Sequence, residues 1–279
     1  MKIISTAKAL LEYRNQIDGK LKIGFVPTMG ALHDGHLSLI KNAAEKCDII
    51  IVSIFVNPLQ FNNPNDLKNY PRVLEKDILL LQQTKCNAVF IPESEKEIYN
   101  SGIEPDTIDL TYLNSILEGP KRPGHFEGVV SVVSILFKLI EPHYAFFGLK
   151  DFQQVKVIEQ LVKDKHFPIT IVPCATEREQ SGLAMSSRNM LLSKEEKQTA
   201  SHIYQILLQA KVLYHQKTSL SDIYTAIHNE IKKTSDFKLD YFEIRNSSDL
   251  SEIKNHEKGA VALIAVHLGK VRLIDNLLL

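Results

Sequence analysis

Residues 22–41 read K-I-G-F-V-P-T-M-G-A-L-H-D-G-H-L-S-L-I-K, and this stretch decides the fold. Residues 22–26 predict a short buried strand, which Pro27 ends. A glycine-containing turn follows. His33-Asp34-Gly35-His36 then opens a helix whose apolar positions are Leu37, Leu39 and Ile40, with Ala43 and Ala44 beyond. A strand, a tight turn and a helix N-terminus make an anion site, because free backbone N–H groups and the positive end of the helix dipole meet there. The two histidines add side-chain donors, and the spacing H-x-G-H points to nucleoside triphosphate chemistry without a Walker-type loop. An ordinary turn with two surface histidines is the plain alternative. A metal held by His33 and His36, with Asp34 beside them, is another. Against the metal, no cluster of further ligands stands nearby, and Gly35 suits close backbone approach to a ligand.

The same alternation recurs outward from this stretch. Strands are predicted over 49–56, 88–91, 144–148 and 169–173, each a short apolar run rich in β-branched or aromatic residues. Helical patterns lie over 37–45, 74–83, 128–140 and 152–163. Apolar strands separated by amphipathic helices predict an α/β fold, a doubly wound, Rossmann-like parallel sheet covered on both faces, with ligands beyond the carboxyl ends of the strands. The pattern changes after about residue 176. Residues 193–235 read as helical, with Ser193 as N-cap and Glu196 completing a capping box. Strands follow over 239–245, 260–268 and 271–274, with Gly269-Lys270 as the turn between the last two. The expected domains are 1–176 and a smaller C-terminal α+β domain, 177–279.

Bulk composition narrows the function. Lys+Arg and Asp+Glu both number 33, so the formal net charge is zero. A nucleic-acid binder usually carries a basic surplus, and none is present. The three cysteines, Cys47, Cys86 and Cys174, are far apart and set among apolar residues. They read as buried thiols in a reducing compartment. No apolar run approaches the ~18 residues of a membrane span. A cytoplasmic protein with no membrane partner is expected.

Four further stretches carry chemistry. In S-I-F-V-N-P-L-Q-F, residues 53–61, Asn57 and Gln60 are expected to project from a strand end into the crevice, where an amide reads a hydroxyl and a carboxylate together. The alternative is that Asn-Pro only makes a turn. In L-E-G-P-K-R-P-G-H-F-E-G-V, residues 117–129, Lys121, Arg122 and His125 are expected on a cationic loop before a helix, either clamping an anion or simply solvated. In F-G-L-K-D-F-Q-Q, residues 147–154, Lys150 offers a point charge to a phosphate, and Asp151 suits a helix N-terminus. In G-L-A-M-S-S-R-N, residues 182–189, two hydroxyls and an arginine fork suit departing phosphates, and a serine-rich turn is the alternative. Asp77 is a weaker candidate for a metal-facing carboxylate.

Together PTMGALHDGH, SIFVNPLQF, EGPKRPGHFEG, FGLKDFQQ and GLAMSSRN, followed by VRLIDN near residue 276, closely resemble the pantothenate synthetase (pantoate–β-alanine ligase) family. Its wider superfamily of HIGH-type nucleotidyltransferases shares only the first turn and an echo of KMSKS in Met185-Ser186-Ser187-Arg188. The resemblance implies ATP and Mg²⁺ as cofactors, pantoate and β-alanine as substrates, and a pantoyl adenylate between two steps. It implies that Met29, Gly30, Ala31, Leu32, His33, Asp34, Gly35 and His36 hold ATP, with His36 and His33 catalytic. Gly148, Leu149, Lys150 and Asp151 would line the nucleotide site, with Lys150 on the phosphates. Met185, Ser186, Ser187 and Arg188 would close over them. Gln60 and Gln154 would hold pantoate, Gln60 would also meet β-alanine, and Asp77 would face the metal. A homodimer formed through the amino-terminal domain, and a carboxy-terminal lid, complete the expectation. Leu149, Ser181, Lys76 and Glu127 depart from the family pattern without removing a group that the chemistry needs.

Overall fold

Six short strands lie side by side in one parallel sheet, and most of the helices of the first 175 residues run between them. The chain order is β1 (Lys2–Ile4), α1 (Ala7–Asn15), β2 (Ile23–Thr28), α2 (Asp34–Ala44), β3 (Ile49–Ile54), α3 (Pro64–Asn69), α4 (Leu74–Gln82), β4 (Ala88–Phe90), α5 (Lys96–Tyr99), α6 (Thr111–Ser115), α7 (Glu118–Lys121), α8 (His125–Ile140), β5 (Tyr144–Gly148), α9 (Phe152–Asp164) and β6 (Thr170–Cys174). The sheet order is β1-β4-β3-β2-β5-β6. It runs one way from β2 through β3 to β4 and then reverses to β5 and β6. The reversal between β2 and β5 is the switch point at which such sheets bind ligands. The segments that leave these two strands are the ones bearing M-G-A-L-H and G-L-K-D.

The computed structural model describes residues Met1–Leu279. Two compact units make it up. One comprises Met1–Gly148 and Gln153–Ala175; the other comprises Leu149–Phe152 and Thr176–Leu279. The four residues Leu149–Phe152 therefore cluster with the second unit, although they precede residue 176. That unit contains α10 (Lys194–Ala200), α11 (His202–His215), α12 (Leu220–Lys233), β7 (Phe237–Asn246), β8 (Ala260–Leu268) and β9 (Val271–Leu278). Its strands form an antiparallel sheet in the order β7-β8-β9. Its core joins Ile203, Leu207, Ile223 and Ile227 of the helices to Ile244, Ala262, Ile264 and Val266 of the sheet.

Pro27 does not end its strand. β2 continues to Thr28, and Pro27 pairs with Ser53 of β3. Alternate residues of a strand point their N–H groups to opposite neighbours. Ile23 offers its carbonyl to His143 on the β5 side, so Pro27, four residues on, faces that side too. Pairing with β5 extends only to Phe25, and the N–H that proline lacks has no partner to lose. The three-residue edge strand β1 and helix α1 escaped the sequence reading. α1 starts at an ordinary N-cap, with Ala9 N donating to Thr6 Oγ1 at 3.2 Å. The Ser193–Glu196 capping box of α10 is present, with both reciprocal bonds.

Candidate active site

The turn after β2 is held in an uncommon conformation. Gly30 and Ala31 both have positive φ, 79° and 50°. Glycine adopts this freely, whereas alanine does so at a cost of roughly 1–2 kcal/mol. Asp77, at the start of α4, holds the turn there. Its carboxylate accepts from Ala31 N at 2.8 Å and Leu32 N at 2.7 Å, while Gly30 N donates to Thr28 Oγ1 at 3.2 Å. These backbone N–H groups are thus committed inside the protein, and the expectation that the turn offers free N–H groups to an anion needs correcting.

Asp77 needs correcting as well. It is 1 % exposed, both of its oxygens are engaged, and no group of three or more His, Cys, Asp or Glu side chains is placed to hold a metal. Burial raises its pKa, opposed by the bonds from Leu32 and Ala31 and by the charge of Lys76. Its work is to shape the turn.

His33 is the N-cap of α2. Its Nδ1 accepts from Gly35 N at 3.2 Å, and His36 Nδ1 accepts from His33 N at 3.4 Å. The pair forms a reciprocal capping box in which two imidazoles replace the usual serine and glutamate. The rings lie 4.1 Å apart, tilted by 41°. An Nδ1 that accepts carries no proton, so each neutral ring keeps its proton on Nε2. The donors of this helix start are therefore two Nε2–H groups. Asp34 occupies the first helical position, where a negative charge suits the dipole.

Gln60 sits in the 3₁₀ turn Pro58–Gln60 and is 7 % exposed. Its Nε2 lies 2.7 Å from Met29 Sδ, at the start of the β2 turn. Asn57 does not project into a crevice. It is 1 % exposed, and its side chain is fully engaged within the protein. Its Nδ2 donates to Gly128 O at 2.9 Å and to Gln60 Oε1 at 3.3 Å, and its Oδ1 accepts from Tyr99 OH at 2.6 Å and from Leu59 N at 3.2 Å. His125 is likewise buried in the first turn of α8, not on a cationic loop, and its Nδ1 lies 2.8 Å from Gln60 O. Lys121 ends the short helix α7, and Arg122 lies 3.9 Å from Glu118. Of the adjacent glutamines on α9, Gln153 is buried, donating to Leu113 O at 2.7 Å and accepting from Glu118 N at 2.9 Å. Gln154 stands half-buried.

The second unit holds the remaining candidates apart from Gly148, which ends β5 in the first. Leu149, Lys150 and Asp151 form a 3₁₀ turn. Lys150 Nζ is 3.8 Å from Asp151 Oδ2. Asn276 Nδ2, on β9, donates to Leu149 O at 2.8 Å and to Lys150 O at 2.9 Å. Ser186 caps a second 3₁₀ turn, Ser187–Leu191, through Arg188 N at 3.3 Å, and Met185 N donates to Glu177 O at 2.9 Å. Ser187 is buried. Arg178 braces the loop leading here. It forks onto Asp275 at 2.6 and 3.0 Å, donates to Gly182 O at 3.1 Å, and stacks on Tyr204 with its guanidinium carbon 3.8 Å from the ring centre. Asn189 donates to Glu179 Oε1 at 3.0 Å and Ala184 O at 3.1 Å, locking the turn from within. Sequence reasoning gave no role to Arg178, Asn189, Asp275 or Asn276. Adjacent Asp-Asn inside the apolar strand L-I-D-N-L-L was the available signal.

Met29, His33, His36 and Gln60 are thus gathered in the first unit. Lys150, Met185, Ser186, Ser187 and Arg188 belong to the second, where both 3₁₀ turns pack on β9. The switch-point sheet, the H-x-G-H helix start and the Met-Ser-Ser-Arg turn define a nucleotide-using α/β enzyme. The chain belongs to the pantoate–β-alanine ligase family, whose profile matches residues 2–278. It is 43 % identical to the pantothenate synthetase of Idiomarina loihiensis, over 97 % of this chain and 96 % of that one. It is 46 % identical to the pantothenate synthetase of Christiangramia forsetii, over 94 % and 93 %. The crystal structure of the Thermus thermophilus pantothenate synthetase superposes with a TM-score of 0.92 at 38 % identity, covering 99 % of each chain. That of the Francisella tularensis pantoate–β-alanine ligase, complexed with beta-gamma ATP and β-alanine, superposes with a TM-score of 0.82 at 41 % identity, covering 100 % of this chain and 97 % of that one.

Proposed function

We propose that this ligase condenses pantoate with β-alanine in two steps. A pantoate carboxylate oxygen attacks the α-phosphorus of ATP, the bond to the bridging oxygen breaks, and pyrophosphate leaves. The β-alanine amine then attacks the acyl carbonyl of the pantoyl adenylate, loses a proton, and expels AMP. The observation that carries this reading is the imidazole capping box beside the Met29–Gln60 contact. Two fixed Nε2–H donors on a helix N-terminus suit the negative charge that grows on departing pyrophosphate. The buried Gln60 amide offers the paired donor and acceptor that a hydroxy acid requires.

Lys150, Ser186, Ser187 and Arg188 supply further charge and donors to the phosphates, and Gln154 joins Gln60 on pantoate. Met29 to His36 and Gly148 to Asp151 line the nucleotide. Mg²⁺ enters with the nucleotide, held mainly by its phosphates. The second unit, residues 177–279 with the Lys150 turn, acts as a lid that keeps water from the labile adenylate. A homodimer in the cytoplasm completes the reading; no helix is long and apolar enough to cross a membrane.

An omission panel tests the function. Free AMP should form only when ATP, pantoate and β-alanine are all present, while ATP and pantoate alone should release at most one pyrophosphate per active site. Rapid AMP release in the absence of the amine would contradict it.

A further inference from the structure

We propose that Asn276 is a positioning residue for Lys150, and that the Asp275-Asn276 pair ties two phosphate-facing segments to one strand end. The proposal rests on the assignment of Lys150 to the phosphates.

Successive residues of a strand point to opposite faces. Asp275 and Asn276 are adjacent on β9, yet both are buried, at 4 % and 6 % exposure. Two polar side chains covered on opposite faces must find partners on both, and each finds a different one. Asn276 spends its side-chain donors on consecutive carbonyls, those of Leu149 and Lys150, at 2.8 and 2.9 Å. Fixing two carbonyls of a three-residue turn fixes the direction in which its lysine departs. Asp275 takes the fork of Arg178, and Arg178 pairs across a single bridge with Ala184, the residue before Met185. Asp275 Oδ1 also accepts from Asn276 N at 2.8 Å, which joins the two arms. The amide at 276 is specific, because an aspartate there would set oxygen against two carbonyl oxygens.

The test compares full-length N276A, K150A and the double variant in pantoate-dependent exchange of labelled pyrophosphate into ATP, with melting curves to show that each is folded. N276A should lower kcat/KM for ATP by about 10- to 100-fold, as a displaced reacting group does, and leave the pantoate KM within about twofold. The double variant should lie within about twofold of K150A, because a residue that acts through the lysine has nothing left to do once the lysine is gone. Equal losses from N276A in both backgrounds, or equal rises in both KM values, would overturn the proposal. A K150A enzyme as fast as the wild type would overturn the Lys150 assignment and this proposal with it. Should N276A not fold, N276S, which keeps one donor, carries the same comparison.

Discussion

At His36 the two ring nitrogens have separate tasks. Nδ1 caps the helix, and the proposed chemistry falls to Nε2–H. An asparagine side chain reaches only as far as Nδ1, a glutamine side chain about as far as Nε2. His36→Asn should keep the cap and its melting temperature while adenylate formation, followed by pyrophosphate exchange, falls on the order of 10²–10³-fold, the usual cost of one preorganised donor. His36→Ala should lose that activity and also about 1 kcal/mol of stability, the usual worth of a cap. An active His36→Asn enzyme would refute the division of labour. The cysteines give a pH prediction. Burial pushes Cys47 and Cys174 up to about 11 and Cys86 up to about 12. The unfolded chain ionises its thiols near the ordinary 9.0. It therefore binds fewer protons than the folded one above that pH, and stability falls as pH rises from 9 toward 11. Denaturation midpoints at pH 8 and pH 10.5 measure the loss. At pH 8 a chromogenic disulfide should titrate the buried Cys86 and Cys174 promptly only in denaturant.

Among the elements, α8 does most to place the Gln60 amide, the group proposed to hold pantoate. Thirteen of its sixteen residues are buried, and its first turn carries His125 and Gly128. A Cβ on Gly128 would lie 2.4 Å from Leu59 O and 2.7 Å from Gln60 N, both of them backbone. Gly128→Ala should therefore push the 57–60 turn away. It should cost about 1–3 kcal/mol, as overpacking does, and raise the pantoate KM well above any change in the ATP KM. Denaturant melts and two substrate titrations decide; a change in stability alone would make Gly128 a packing residue only. The Asp77 clamp on α4 is the other element-scale device. Asp77→Ala strands the Ala31 and Leu32 N–H groups in a buried turn, at about 1–3 kcal/mol for each unsatisfied group. Pyrophosphate exchange should fall with it if the turn positions His33. Little of this was legible in the sequence. The motifs N-P-L-Q and P-G-H-F-E-G flag both segments, but residues far apart in the chain do the holding. Asn57 meets Gly128, His125 meets the Gln60 carbonyl, and Asp77 meets Ala31, and no local pattern reports such pairings.

At the scale of the molecule, the strands and long helices were readable because their periodicity is local: apolar runs for the parallel strands, amphipathic repeats for α9, and a serine–glutamate cap opening the helical stretch 193–235, which the structure divides into α10, α11 and α12. The edge strand β1 was too short to show a period. The Lys150 turn was assigned by its neighbours in sequence to the first domain, whereas hydrogen bonds from β9 tie it to the second unit. That tie lies 126 residues away in the chain, beyond the reach of any window. The division into units leads to the lid prediction. Scattering profiles should contract when a stable analogue of the adenylate is added, and unchanged profiles would argue against closure.

Carboxylate attack on the α-phosphorus leaves a trace in the products that oxygen labelling reads. With pantoate carrying ¹⁸O in its carboxylate, each turnover should place one labelled oxygen in AMP. Label in pyrophosphate or inorganic phosphate, or none in AMP, would contradict it.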